Sequence, residues 1–162
     1  MRGADLPKLV EALRGPIDSF VHDSRVRITL LVTGSGQVLA QHGFTSSYEV
    51  MNVASLAAAA NAASNALAGL MQVDPWKHMH HAGREQEIFV APLNTPIEKL
   101  TLVAIFDSAS SLGLVQFFFG RLADEIEALP ALGGARQSEN QVSFESDLQR
   151  GLDRIFSSEG EH

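Results

Sequence analysis

Apolar positions divide this chain into segments of helical and of alternating period. Leu6, Leu9, Leu13, Ile17 and Phe20 recur at steps of three and four, which predicts a helix over about Asp5–His22 with one buried stripe. Gly15-Pro16 lies inside it, and the missing amide donor of Pro16 predicts a kink or a break into two pieces facing the same core. From Arg25 to Thr33 the pattern alternates. Val26, Ile28, Leu30 and Val32 fall on one side and Arg25, Arg27, Thr29 and Thr33 on the other, so a strand with one buried face is expected. Gly34-Ser35-Gly36 supplies a turn, and Gln37–His42 returns as the second strand of a hairpin.

A second helix is predicted from Tyr48 or Met51 to Met71. Val53, Leu56, Ala60, Ala63, Leu67 and Leu70 form a stripe of the kind that packs on a core. The opposite side, Ala54, Ala58, Asn61, Ala62, Asn65 and Ala68, has no charge and little bulk. A face of that composition lets another backbone approach closely. Asn61 and Asn65, four residues apart, can hydrogen-bond across a contact without burying charge, so these six residues are the candidate partner-binding face.

Asp74-Pro75 ends that helix. Lys77–Ala82 and Glu87–Leu93 read as a second hairpin around Gly83-Arg84-Glu85-Gln86. Lys99–Asp107 follows as a strand apolar on both sides, which places it in the middle of a sheet or at a subunit contact. Ser108–Ser111 offers caps for a third helix running to about Leu129. Pro130–Gln141 reads as a linker, and Ser143 can cap a short amphipathic helix with Phe144, Leu148, Leu152 and Ile155 on one side. The expected organisation is one α+β domain over 1–130, with a five-stranded antiparallel sheet packed by helices, and a linker with a tail helix over 131–162. A tail helix that short is marginal in water unless it docks on something.

Composition narrows the function more by exclusion than by assignment. The chain has 162 residues, 45% hydrophobic and 19% charged, as a folded domain should. Its formal charge of -7 disfavours nucleic acid or an anionic membrane as the main ligand. With no cysteine there is no disulfide, thiolate metal site or thiol nucleophile, which fits a cytoplasmic protein. The most apolar windows, Leu100–Phe106 and Leu112–Phe119, are much shorter than the roughly 20 residues of a membrane span, so none is expected.

No constellation predicts catalysis. A dinucleotide fingerprint beginning at Gly34 would need glycine where Leu39 stands, and no phosphate-loop Gly-Lys-Ser or Gly-Lys-Thr occurs. His78 and His80 would project to one face of a strand and His81 to the other, so at most two could share an ion. Zinc requires three or four ligands, and polar edge-strand residues are the reading that the ligand count favours. Asp124, Glu125 and Glu127 read as a solvated helix face, and no Gly-x-Ser-x-Gly elbow is present. No cofactor and no metal is expected.

Several stretches in order resemble the roadblock/dynein-light-chain family. Leu30-Leu31-Val32-Thr33-Gly34-Ser35-Gly36-Gln37-Val38-Leu39-Ala40 is similar to its first hairpin, and Ser55-Leu56-Ala57-Ala58-Ala59-Ala60-Asn61-Ala62-Ala63 to its Ala-rich second helix. Leu102-Val103-Ala104-Ile105-Phe106-Asp107 with Ser111-Leu112-Gly113-Leu114-Val115 is similar to its last strand and third-helix opening. His81-Ala82-Gly83-Arg84-Glu85 resembles a turn of the bacterial MglB branch. The likeness spans about Arg25–Leu129. It implies a roadblock-type, profilin-like αββαβββα sandwich and a homodimer whose sheets join edge to edge with the second helices side by side. It further implies a platform for a small Ras-like GTPase of the MglA type, stimulation of GTP hydrolysis without an arginine finger, and a cytoplasmic role in cell polarity or motility, at a cell pole. The tail around Phe144, Leu148 and Leu152 would reach a second site on the GTPase. The same dimer could instead serve as a non-catalytic scaffold tethering partners, or the domain could hold a small ligand as a sensor.

Overall fold

A computed structural model describes residues 6–96, 98–130 and 146–151 of the chain. The elements are α1 (Leu6–Ser24), β1 (Ile28–Thr33), β2 (Val38–His42), α2 (Ser47–Met71), β3 (Met79–Ala82), β4 (Glu87–Asn94), β5 (Lys99–Phe106) and α3 (Leu112–Glu127). The strands form one antiparallel sheet in the order β2-β1-β5-β4-β3. This is the α+β arrangement with a five-stranded antiparallel sheet expected from the pattern.

Alternating residues of the central strands feed two separate cores. Leu31 on β1, Phe89 on β4, and Leu102 and Phe106 on β5 pack with Leu13 and Ile17 of α1 and with Val115 and Leu122 of α3. Leu30, Val32 and Val103 point the opposite way, against Val50, Ala54 and Ala57 of α2. Two helices therefore cover one face of the sheet and a single helix crosses the other. As expected, β5 is apolar on both sides and lies in the middle.

Three local expectations need correction. Pro16 does not divide α1, which runs unbroken from Leu6 to Ser24. Leu9 and Leu13 before the proline, and Ile17 and Phe20 after it, are buried in the same core, and that packing outweighs the lost backbone bond. The first strand begins at Ile28 and has both faces buried, with Thr29, Leu31 and Thr33 as enclosed as Leu30 and Val32. Arg25, at φ 56, resets the direction of the chain, so Val26 joins the α1–α3 core instead of extending the alternation. Ser24 closes α1 by donating its hydroxyl to Phe20 O at 2.6 Å.

Turns follow their residues. Gly36 takes φ 86, and Gly36 N donates to Thr33 O at 3.0 Å, closing the β1–β2 hairpin. One extra residue sits in β2 where Leu31 pairs with Ala40 but Val32 with Val38, a bulge on that outer strand. After β5, Asp107 accepts from Ala109 N at 3.0 Å and from Arg27 Nη1 at 2.8 Å. The Ala109 amide first, then Arg27, hold its carboxyl below the ordinary carboxylate range. Ser111 caps α3 by accepting from Leu114 N. The linker expected over 130–141 lies almost wholly outside the described residues. Of the tail, residues 146–151 are helical, Leu148 is exposed, and Phe144 and Leu152 lie outside the description.

Candidate protein interface

The segment from Val50 to Val73 contains no Asp, Glu, Lys, Arg or His, and nearly all of it is helix α2. Ser46 starts this helix, its hydroxyl accepting from Glu49 N at 3.2 Å, and Gln72 ends it at φ 55, with its N–H turned back on Ala68 O and Gly69 O. Such a helix has no charged face to set its rotation about its axis. Its orientation is fixed by fit to the sheet below.

That fit reverses the predicted faces. Ala54 is 1% exposed and Ala68 2%, both turned inward with Val50 and Ala57. Leu56 is 70% exposed, Leu67 50% and Leu70 82%. The stripe expected to pack on the core is the outward one, apart from half-buried Val53, and the small-residue face is in part the inward one. The cause is distance. The strands beneath already present Leu30, Val32 and Val103, and alanines let the helix lie close to them. Of the six predicted partner-binding residues of α2, Ala54 and Ala68 are therefore unavailable to a partner. Ala58 and Asn61 are half-buried, and only Ala62 and Asn65 are exposed.

The contact-capable surface is thus different from the one expected. Leu56, Leu67 and Leu70 project from the charge-free part of this helix, flanked by exposed Met51, Met71 and Val73. Several large apolar side chains left in solvent on one element of a folded domain point to a site of interaction. Its signal in the sequence is the run without charge on any face. Length and hydropathy alone would also let α2 cross a membrane, with 25 residues and a mean hydropathy of 1.3 in its most apolar stretch. The expectation of no span rested on windows elsewhere in the chain and overlooked this helix, which here lies across a sheet.

Beside the α2 stripe lies an open sheet edge. Trp76 Nε1 donates to Ser64 O at 3.0 Å, and Ser64 Oγ donates to Met79 Sδ at 2.8 Å, tying the last turns of α2 to the start of β3. β3 pairs with β4 in unbroken register and is an outermost strand, as the reading of His78, His80 and His81 as edge residues anticipated. His78 stacks on Phe89 at 5.4 Å, with its Nε2 2.9 Å from Gln116 Nε2. His80 stacks on Phe106, with Nε2 2.6 Å from Glu87 Oε2. Both rings lie on the α1–α3 side, while His81 is on the α2 side. Among the described residues, no three His, Asp or Glu side chains group to hold a metal ion.

Replacing Ala54 by leucine should lift the helix from the sheet and cost about 1–3 kcal/mol, read as a lower urea midpoint with unchanged slope. Leucine at exposed Ala59 should change stability by no more than about 0.5 kcal/mol. Equal tolerance at both positions would show the orientation of α2 to be wrong.

No curated protein matches the chain by sequence. Among solved structures, MglB from Myxococcus xanthus aligns at 26% identity with a TM-score of 0.65, over 73% of this chain and 86% of its own. MglB in a tetrameric arrangement aligns at 25% identity, TM-score 0.63, over 83% and 95% of the two chains. The gliding protein MglB from Thermus thermophilus aligns at 24%, TM-score 0.62, over the same shares. The Roadblock/LC7 domain profile matches residues 17–105. That match covers more than half of the chain, from the middle of α1 through nearly all of β5, and with it the chain belongs to the Roadblock/LC7 family.

Proposed function

We propose that this protein is a homodimeric regulator that binds a small Ras-like GTPase of the MglA type on its α2 surface and stimulates GTP hydrolysis. The observation that carries the reading is the charge-free run of α2 from Val50 onward, with Leu56, Leu67 and Leu70 facing outward. An apolar surface of that extent favours a protein partner, and its continuity with the open β3 edge favours a second copy as part of the assembly. Likeness to MglB structures at 25% and 26% identity supports the choice of GTPase.

The platform works by binding energy and brings no active site of its own. Helix α2 has no arginine or lysine, so no guanidinium from this helix reaches the partner's phosphates. It offers the amides of Asn61 and Asn65 and a hydrophobic face. A surface of this type accelerates hydrolysis by binding the partner's reactive conformation more tightly than its resting one. A differential of about 1.4 kcal/mol shifts that equilibrium tenfold.

The test is phosphate release from an MglA-type GTPase titrated with this protein. Acceleration that saturates with the regulator is the expected result. GTPase binding without acceleration would leave a tethering platform and remove the regulatory role. Truncation after Ala131 should preserve the dimer and reduce the acceleration severalfold, because the exposed Leu148 helix is then missing. A monomeric truncated chain would contradict this assignment of the dimer to α2 and β3.

A further inference from the structure

We propose that the β3 edge is a proton-sensitive seam, in which His81 of one copy stands opposite His81 of a second copy and self-association weakens as the medium turns acid. The inference rests on the homodimer reading above and adds a register and a response to it.

Hydrogen-bond phase sets the register. Gly83 N donates to Gln86 O at 2.9 Å, which marks 83 and 86 as the bonded pair closing the β3–β4 turn. Bonded and non-bonded pairs alternate along an antiparallel ladder. With Ala82 opposite Glu87 and His81 opposite Ile88, His81 and Met79 turn their backbone groups toward β4. His80 and Ala82 then turn theirs to the open edge. Two copies related by a two-fold axis perpendicular to the joint sheet keep the same residues on the same faces. Each residue must therefore oppose one of equal parity, and the axis can pass through His80 or through His81. Centred on His80, only His80 finds an outward-bonding partner within the strand. Centred on His81, His80 pairs with Ala82 of the second copy and Ala82 with its His80, so every outward group of β3 is used. The His81 register is the one that completes the edge.

It also places the two His81 residues at a non-bonded position, where Cα atoms approach to about 4.5 Å. The charges around them do not offset a gained proton. Helix α2 has no ionisable group between Glu49 and Asp74, and β4 and β5 present Ile88 and Ile105 on this side. Arg84 and Glu85 of the adjoining turn line the same shallow hollow as His81, one of each sign, so together they bring no net charge to it. His80 differs, since the Glu87 carboxylate at 2.6 Å balances it on the opposite face. Imidazoles take up protons within the pH 5–8 range, and two like charges about 5 Å apart across a protein surface lower an association constant about tenfold or more.

Sedimentation equilibrium of the full chain at about pH 7.5 and pH 5.5 tests this over that range. The dimer constant of the unaltered protein should fall about tenfold or more in acid, while His80→Gln keeps that fall. His81→Gln and His81→Thr should each dimerise with little dependence on pH, with circular dichroism confirming that both remain folded. A fall of equal size in both folded His81 variants, or none in the unaltered protein, would overturn the seam while leaving the dimer. An unaltered protein that stays monomeric at high concentration and pH 7.5 would overturn the homodimer reading itself.

Discussion

Arginine at both Leu67 and Leu70 is expected to give a folded chain that no longer self-associates and no longer accelerates a GTPase. Both side chains stand in solvent on α2, so each substitution should change stability by no more than about 0.5 kcal/mol. A contact centred on these leucines would meet two unpaired charges, and association should weaken by about a hundredfold or more, the range of central interface residues. Sedimentation with phosphate release measures both effects, and urea unfolding checks the fold. An unfolded double variant would mean that this side of α2 belongs to the protein's own core. An unchanged dimer with full acceleration would remove the α2 platform.

A second large effect is expected at Gly43, in the loop between β2 and α2. Its φ is +82, and a Cβ there would meet Arg27 O at 2.1 Å and Arg27 C at 3.1 Å. Neither atom can swing away, because both are backbone at the entrance to β1. Left-handed strain and the clash each cost about 1–3 kcal/mol, so Gly43→Ala should lose about 3–5 kcal/mol and lower Tm by roughly 10–20 °C. Gly15→Ala is the matched control. Nothing lies within 4 Å of a Cβ at that position, and alanine in a helix is favoured by up to about 1 kcal/mol. A Gly43→Ala protein as stable as the parent would mean that the loop takes another path.

The order of elements was legible because each carries its own local signal. The alternation in β1, the two-sided apolar run of β5, the Gly34–Gly36 turn, the serines before α3, and the stripe of α1 all led to the right element in the right place. Rotation of elements against one another was less legible. In α2 both sides are apolar, so periodicity has little amplitude with which to choose between them. Ranking by bulk sent Leu56, Leu67 and Leu70 inward, whereas close approach to the sheet selected Ala54 and Ala57. Thr29 and Thr33 read as solvent-facing because threonine is ambiguous between surface and strand interior. Pro16 was over-weighted because a local rule does not register what the flanking stripe secures. The proposed interface keeps its helix and exchanges its residues: the uncharged run identified the helix, but only the packed structure shows which side is left over.

The bulge where β2 carries one residue more than β1 bears on the size of the proposed assembly. A sheet with two straight rims invites addition at each, and successive copies would lengthen into a ribbon without end. Here one rim is kinked and the other straight. In the proposed homodimer, joining at the straight rim would therefore stop after a single event and give a closed particle of fixed stoichiometry rather than a fibre.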